Sequence, residues 1–287
     1  MSELVAAIAR VDDDVSVHVV TVGPPPVDST DAVTVVRPRR FARWTWYRGE
    51  RRDIAAAIER IAPDVVHVHG LNFYAASMGG FQGPVVMTPH GMLAHEARIV
   101  DAHSGVLERW SKRLRGVGNL WFERRALRRA EHLTAINAYA REVLGSRTSA
   151  TWFDVSNPTP PAYFDLPDRS GRDRLLFVGA IEPRKAVIVR APAEETSPLA
   201  LQQAMAGGRA VVATSAGGIS HVIRDGETGR LVPPNDRDAL ADALLDVIRH
   251  PRATDRMIER ARRVAGDRFH PDAVAAATLD VYRRVRR

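Results

Sequence analysis

"ETSPLALQQAMAGGRAVVATSAGG" spans Glu195 to Gly218 and reads as helix, strand and glycine turn in succession. An acidic residue, small residues and a proline precede an apolar run, so Thr196 or Ser197 can cap a helix over 198–205 with Pro198 in its first turn. The strand-like run 209–215 follows, and Gly217 and Gly218 form a flexible pair after it. The exposed amides around Thr196, Ser197, Pro198 and Leu199, with the helix dipole, make a site for a diphosphate or a cluster of sugar hydroxyls. Glu195 stands at the mouth of that site. Gln203, eight residues later, lies about two turns down the same helix. An ordinary capped helix beside a solvated glutamate is the plainer reading of the same residues.

Working outward, short apolar runs alternate with amphipathic stretches along the whole chain, the pattern of a doubly wound α/β protein. Strands are expected at 15–22, 32–36, 65–70, 84–91 and 132–137, with helices at 51–61, 105–130 and 138–144. After them comes "SNPTPPAYFDLPDRSGRD" (156–173), whose prolines and lack of periodicity mark a linker. The second half restarts with "RLLFVGAI" at 174–181, followed by strands at 187–189, 209–215 and 229–234. Its helices are expected at 198–205, 219–224, 239–248, 253–264 and 272–286. The organisation predicted is two Rossmann-like domains, 1–165 and 166–287, facing a cleft where such sheets bind ligands at the carboxyl ends of their strands.

Composition narrows the function. The 287 residues carry a net charge of +7 and no cysteine, which excludes disulfides and thiolate metal sites. No run approaches the ~20 apolar residues of a membrane span, and Met1 begins an amphipathic helix with no basic leader, so the expected location is the cytoplasm. Only Lys112 and Lys185 among the 41 basic residues are lysines. Between Val106 and Glu131 stand eight basic and three acidic residues, interleaved with Trp110, Leu114, Leu120, Trp121, Phe122 and Leu127. At helical spacing these make a basic amphipathic pair of helices. They serve either as a solvated arginine face over a buried apolar one, or as a surface for an anionic acceptor at the inner face of the plasma membrane. No recognition helix, zinc finger or stacking platform accompanies the charge, so nucleic acid is not the expected partner.

"LLFVGAIEPRK", the opening stretch and "ATSAGGISHVIRDGETGRLVPP" together resemble the donor-binding half of retaining GT-B glycosyltransferases, specifically family four. "DVVHVHG", "TPHGM", "LTAINAYAREVL" and "VSNPTPPAYF" resemble the acceptor half. The resemblance implies an α/β GT-B-like fold and transfer of a hexose from a nucleotide diphosphate sugar to a hydroxyl with retention of configuration. It implies no further cofactor and no metal. His90 matches a histidine near the donor sugar, Glu195 the first acid of the family's glutamate pair, and Lys185 the lysine that neutralises the diphosphate. The second acid reads Gln203, the arginine that partners the lysine reads Ala180 with Arg184 as a partial substitute, and the usual "PE" after Gly217 and Gly218 reads Ser220 and His221. Of His67 and His69, one is expected to face the cleft, His69 beside Gly70.

"RKAVIVRAPAEETSPL" (184–199) brings the basic and acidic loops close together, where the family places further β-α units of about 30 residues each. By that comparison the second domain is shortened and the first strand is absent. A non-catalytic chain that binds nucleotide weakly, or partners another chain, is therefore the alternative to an active transferase. Donor base, sugar and acceptor, whether lipid-linked or glycan, stay open. Asp12 to Asp14 spells a metal-binding D-x-D but precedes its strand, where a turn is expected. "HEARI" at His95 lacks a zinc protease's second histidine, and there is neither a P-loop nor a G-x-S-x-G.

Overall fold

Valine-rich tetrapeptides supply the first four strands, because β-branched side chains suit a pleated, packed surface. The computed structural model describes residues 2–22, 33–37, 48–70, 80–90, 120–121, 123–166 and 198–287. The chain separates into two compact units. Unit 1 comprises Met1–Ala135, Val143–Asp154 and Ala275–Arg287; unit 2 comprises Ile136–Glu142 and Val155–Val274.

In unit 1, β1 (Val19–Val22) pairs in parallel with β2 (Val33–Val36). β3 (Val66–His69), β4 (Val85–Thr88), β5 (His132–Ala135) and β6 (Thr151–Asp154) form a second parallel sheet in that order. The register sets His69 beside Thr88 and His67 beside Val86. β6 is absent from the sequence-based expectation: "TWFD" has only two large apolar residues and lies exposed at both ends, at the end of that strand order. Helix α1 (Ser2–Val11) buries Leu4, Ala7 and Ile8, the i, i+3, i+4 stripe of an amphipathic helix. Helix α2 (Arg48–Ile61) sets Ile54 and Ile58 against Val36, with Val20, Val22 and Val66 packed around them. Asp12 closes the turn after α1 by accepting from the Asp14 amide at 3.2 Å, the turn expected of that D-x-D.

Residues 123–129 are helical, with Ala126 and Leu127 buried and Arg124, Arg125, Arg128 and Arg129 exposed. Trp121 is 55% exposed, and the Arg125 guanidinium lies 5.4 Å from its ring centre. This is a solvated arginine face over an apolar one. The rest of the expected helix, 105–119 and residue 122, lies outside the described residues. Helix α3 (Ala138–Leu144) starts at Asn137, whose Oδ1 accepts from the Ala140 amide at 3.3 Å.

Unit 2 contains α4 (Leu199–Ala206), β7 (Val212–Thr214), a 3-10 turn (Gly217–His221), β8 (Arg230–Val232), α5 (Arg237–Arg249) and α6 (Pro251–Phe269). β7 and β8 pair in parallel. Helix α7 (Pro271–Val285) starts in unit 2 and runs into unit 1. One face of α6 buries Met257, Ala261, Ala265 and Phe269, each four residues apart. Of these, Ala261, Ala265 and Phe269 pack with Met205, Ala206, Val211, Ile219, Val222 and Ile223 in the unit's core. Two expectations are corrected here. α4 begins at Leu199 with Pro198 as its N-cap and no side-chain cap bond, because proline has no side-chain acceptor. The helix expected at 219–224 is instead the 3-10 turn, held by Ile219 N to Ala216 O at 3.1 Å and Val222 N to Ile219 O at 3.0 Å, since too few residues separate the strand from the next turn.

That next turn is "DGETG". Gly226 takes φ +71°, the Asp225 carboxylate accepts from the Leu231 amide, and Thr228 Oγ1 accepts from the Arg224 amide, both at 2.9 Å. The proline-rich stretch expected as a linker is packed where described. Thr159 N donates to Phe269 O at 2.8 Å, Arg262 donates to Phe164 O at 2.7 Å, and Tyr163 and Phe164 cover the unit 2 core. Residues 167–173 of it lie outside the described residues, as do the strands expected at 174–181 and 187–189 and the shortening inferred there.

Candidate functional site

Residues two apart on a strand project from the same face. His67 and His69 therefore share a face, and the expectation that only one of them faces the site is corrected. Their rings stack with centres 4.4 Å apart. His67 is bonded at both nitrogens: Nδ1 to the Tyr282 hydroxyl and Nε2 to Thr88 Oγ1, each at 2.7 Å, and Thr88 Oγ1 meets Thr134 Oγ1. His69 Nδ1 meets His90 Nε2 at 2.7 Å, with the ring centres 5.0 Å apart and 15° between planes. His69 and Thr88 are the last residues of β3 and β4 and Thr134 is the next to last of β5, at the end where open α/β sheets bind ligands.

Burial decides their protonation. It pushes His67 down to about 3, with repulsion from His90 adding to it, and His69 down to about 2, with repulsion from His67 next. Burial also lowers His90 and raises Tyr282. At neutral pH the three imidazoles are uncharged, so the cluster offers directional donors and acceptors rather than positive charge. Such a surface suits sugar hydroxyls better than phosphates. Among the described residues no group of three or more His, Cys, Asp or Glu could hold a metal ion.

Unit 2 holds the described part of the other expected cluster. Gly217 adopts φ +52° at the start of its turn and Gly218 is buried behind it. Pro198 is buried and Leu199 exposed at the start of α4. Gln203 is half-buried; its neighbour Gln202 is the buried one, and its Oε1 has no hydrogen-bond partner among the described residues. His221 lies 3.4 Å from the Glu142 carboxylate, with the Tyr139 ring 6.4 Å away. Partial burial, then Glu142, raises the Tyr139 hydroxyl. Arg184, Lys185, Glu195, Thr196 and Ser197 lie outside the described residues. Sequence reading missed Thr88, Thr134 and Tyr282. The threonines sit one strand apart with no motif to flag them, and Tyr282 is 215 residues from His67.

The family model described as "Glycosyltransferase Family 4" matches residues 1–150, and that described as "Glycosyl transferases group 1" matches residues 180–264. The chain belongs to glycosyltransferase family four. D-inositol 3-phosphate glycosyltransferase of Streptomyces coelicolor is 40% identical over 97 residues, 34% of this chain and 21% of that protein. The aligned stretch thus spans about a fifth of that relative's length. Sucrose-phosphate synthase from Thermosynechococcus elongatus superposes with a TM-score of 0.67 at 18% identity, covering 98% of this chain and 91% of that one. Anabaena HepE in complex with UDP gives 0.62 at 13% identity, covering 88% and 86%. The fold of this family-four chain is thus the α/β, Rossmann-like GT-B fold expected from its sequence.

Proposed function

We propose that this family-four chain transfers a hexose from a nucleotide diphosphate sugar to a hydroxyl acceptor with retention of configuration. The observation that carries the proposal is the uncharged histidine cluster at the strand ends, with His90 as its outer member. In the reaction the bond from the anomeric carbon to the phosphate oxygen breaks. The acceptor oxygen takes its place on the same face, and the acceptor's proton passes to the departing diphosphate. Charge is the main burden, and preorganised cations and amides meet it best. Lys185, Arg184 and the amides around Thr196, Ser197, Pro198 and Leu199 are assigned to the diphosphate, and Glu195 and Gln203 to the donor's hydroxyls. Gly217 and Gly218 allow close approach of the backbone to the donor, and His90 holds a sugar hydroxyl. Support for a uridine donor comes from HepE, solved with UDP. Support for an inositol-type acceptor comes from the D-inositol 3-phosphate enzyme.

The test is release of nucleoside diphosphate from UDP- and GDP-sugars with inositol phosphate, polyprenyl phosphate or glycan acceptors. Acceptor-dependent release that falls at least about a hundredfold in Lys185→Ala and in His90→Ala is the expected result. A folded chain that releases nothing from any donor makes the non-catalytic reading correct, consistent with Ala180 and Gln203 standing where the family has charged residues.

A further inference from the structure

His69 is not accounted for by sugar contact, since its Nδ1 is turned to His90. Three observations bear on what it does. Its Nδ1 lies 2.7 Å from His90 Nε2. Its ring stacks on His67 with centres 4.4 Å apart, while His90 meets it edge to edge, centres 5.0 Å apart and planes within 15°. His67, on the far side, is held at both nitrogens by Tyr282 and Thr88, so the stack rests on an anchored ring.

An uncharged imidazole carries one proton, and a hydrogen bond between two imidazoles needs one donor and one acceptor. If His69 Nδ1–H donates, the proton of His90 sits on Nδ1, and His90 offers its ligand a donor. If His90 Nε2–H donates, its Nδ1 is a bare acceptor. In either case Nε2 of His90 is committed to His69, and Nδ1 is the nitrogen left for a ligand. The geometry points to His69 as a positioning residue that fixes both the ring plane of His90 and the hydrogen-bonding polarity of its Nδ1 toward the donor sugar. This assignment rests on the transferase reading for the sugar, but not for the effect of His69 on His90.

The orienting partner of a functional histidine sets which nitrogen bears the proton. His69 does this from the last residue of β3, paired in register with Thr88 of β4, two residues before His90, so the positioning group is held by the sheet. A hydroxyl-binding site that presents a donor discriminates against a ligand oriented to donate, and the reverse holds for an acceptor.

The experiment uses the full chain labelled with 15N-histidine. Imidazole spectra of the parent are compared with those of His69→Phe and His69→Asn, with the His90 signals assigned from His90→Gln. Phenylalanine keeps the stacking and removes the hydrogen bond. Asparagine places an amide where Nδ1 stood. The parent should show one His90 tautomer with a bonded Nε2. In His69→Phe, His90 should revert to the averaged mixture of a free imidazole, while His69→Asn should keep a bonded Nε2. Sugar transfer should fall about tenfold to a hundredfold in kcat/KM for His69→Phe and recover at least partly in His69→Asn. A His90 spectrum unchanged between parent and His69→Phe overturns the assignment. Absence of transfer by the parent overturns the transferase reading instead, and the spectra still decide the role of His69.

Discussion

The His67 side chain in unit 1 is held from both sides of its ring. Both ring nitrogens are bonded, and burial holds it uncharged down to about 3, against an ordinary value of 6.5 in the unfolded chain. Between those two values the unfolded state binds the extra proton, so stability present above about pH 6.5 is lost as pH falls toward 3. Thermal unfolding measured from pH 7 to pH 4 should show a falling Tm. The slope should be shallower in His67→Gln, which has nothing to protonate in that range; an equal slope would place the effect elsewhere. A second residue-scale prediction concerns Gln202, buried with its Oε1 unpartnered among the described residues. Gln202→Met keeps the length and removes the unsatisfied oxygen, and should raise stability by about 1 kcal/mol in denaturant unfolding. At Gly229 a Cβ would stand 2.8 Å from Ile223 Cγ2 and 3.0 Å from the Val211 carbonyl oxygen. Gly229→Ala should therefore lower the unfolding midpoint.

Helix α6 carries much of the unit 2 core, and its fully buried Phe269 also holds Thr159 through the backbone. Phe269→Ala should cost about 3–5 kcal/mol in urea unfolding. The arginine-rich helix of unit 1 makes a different prediction, because its four exposed arginines contact solvent rather than core. If they meet an anionic bilayer, replacing Arg124, Arg125, Arg128 and Arg129 by glutamine should weaken binding to phosphatidylserine vesicles by about 1 kcal/mol per arginine. No binding by the parent removes the membrane role. Elements were legible in the sequence where period and punctuation agreed: α2 and α6 have apolar stripes, and β3 to β5 are runs of alternating or continuous apolar residues. β6 was not, because two aromatics in a four-residue edge strand carry no pattern. In the proline-rich 156–166 the breakers did not announce a 3-10 turn that packs Tyr163 and Phe164 on a core.

For the whole molecule, family and GT-B fold were readable from ordered motifs spread across both halves. The candidate site was only partly readable. "TPHG" announces His90, whereas Tyr282 meets His67 through tertiary packing that no local pattern encodes. The central claim is that this chain binds a nucleotide sugar and transfers its hexose. The most direct measurement is calorimetric titration of the folded 287-residue chain with UDP and with GDP. Saturable one-to-one binding of one of them, lost in Lys185→Ala, is the predicted result and identifies the donor base. A folded chain that binds neither contradicts the account and leaves a glycosyltransferase fold without a donor site.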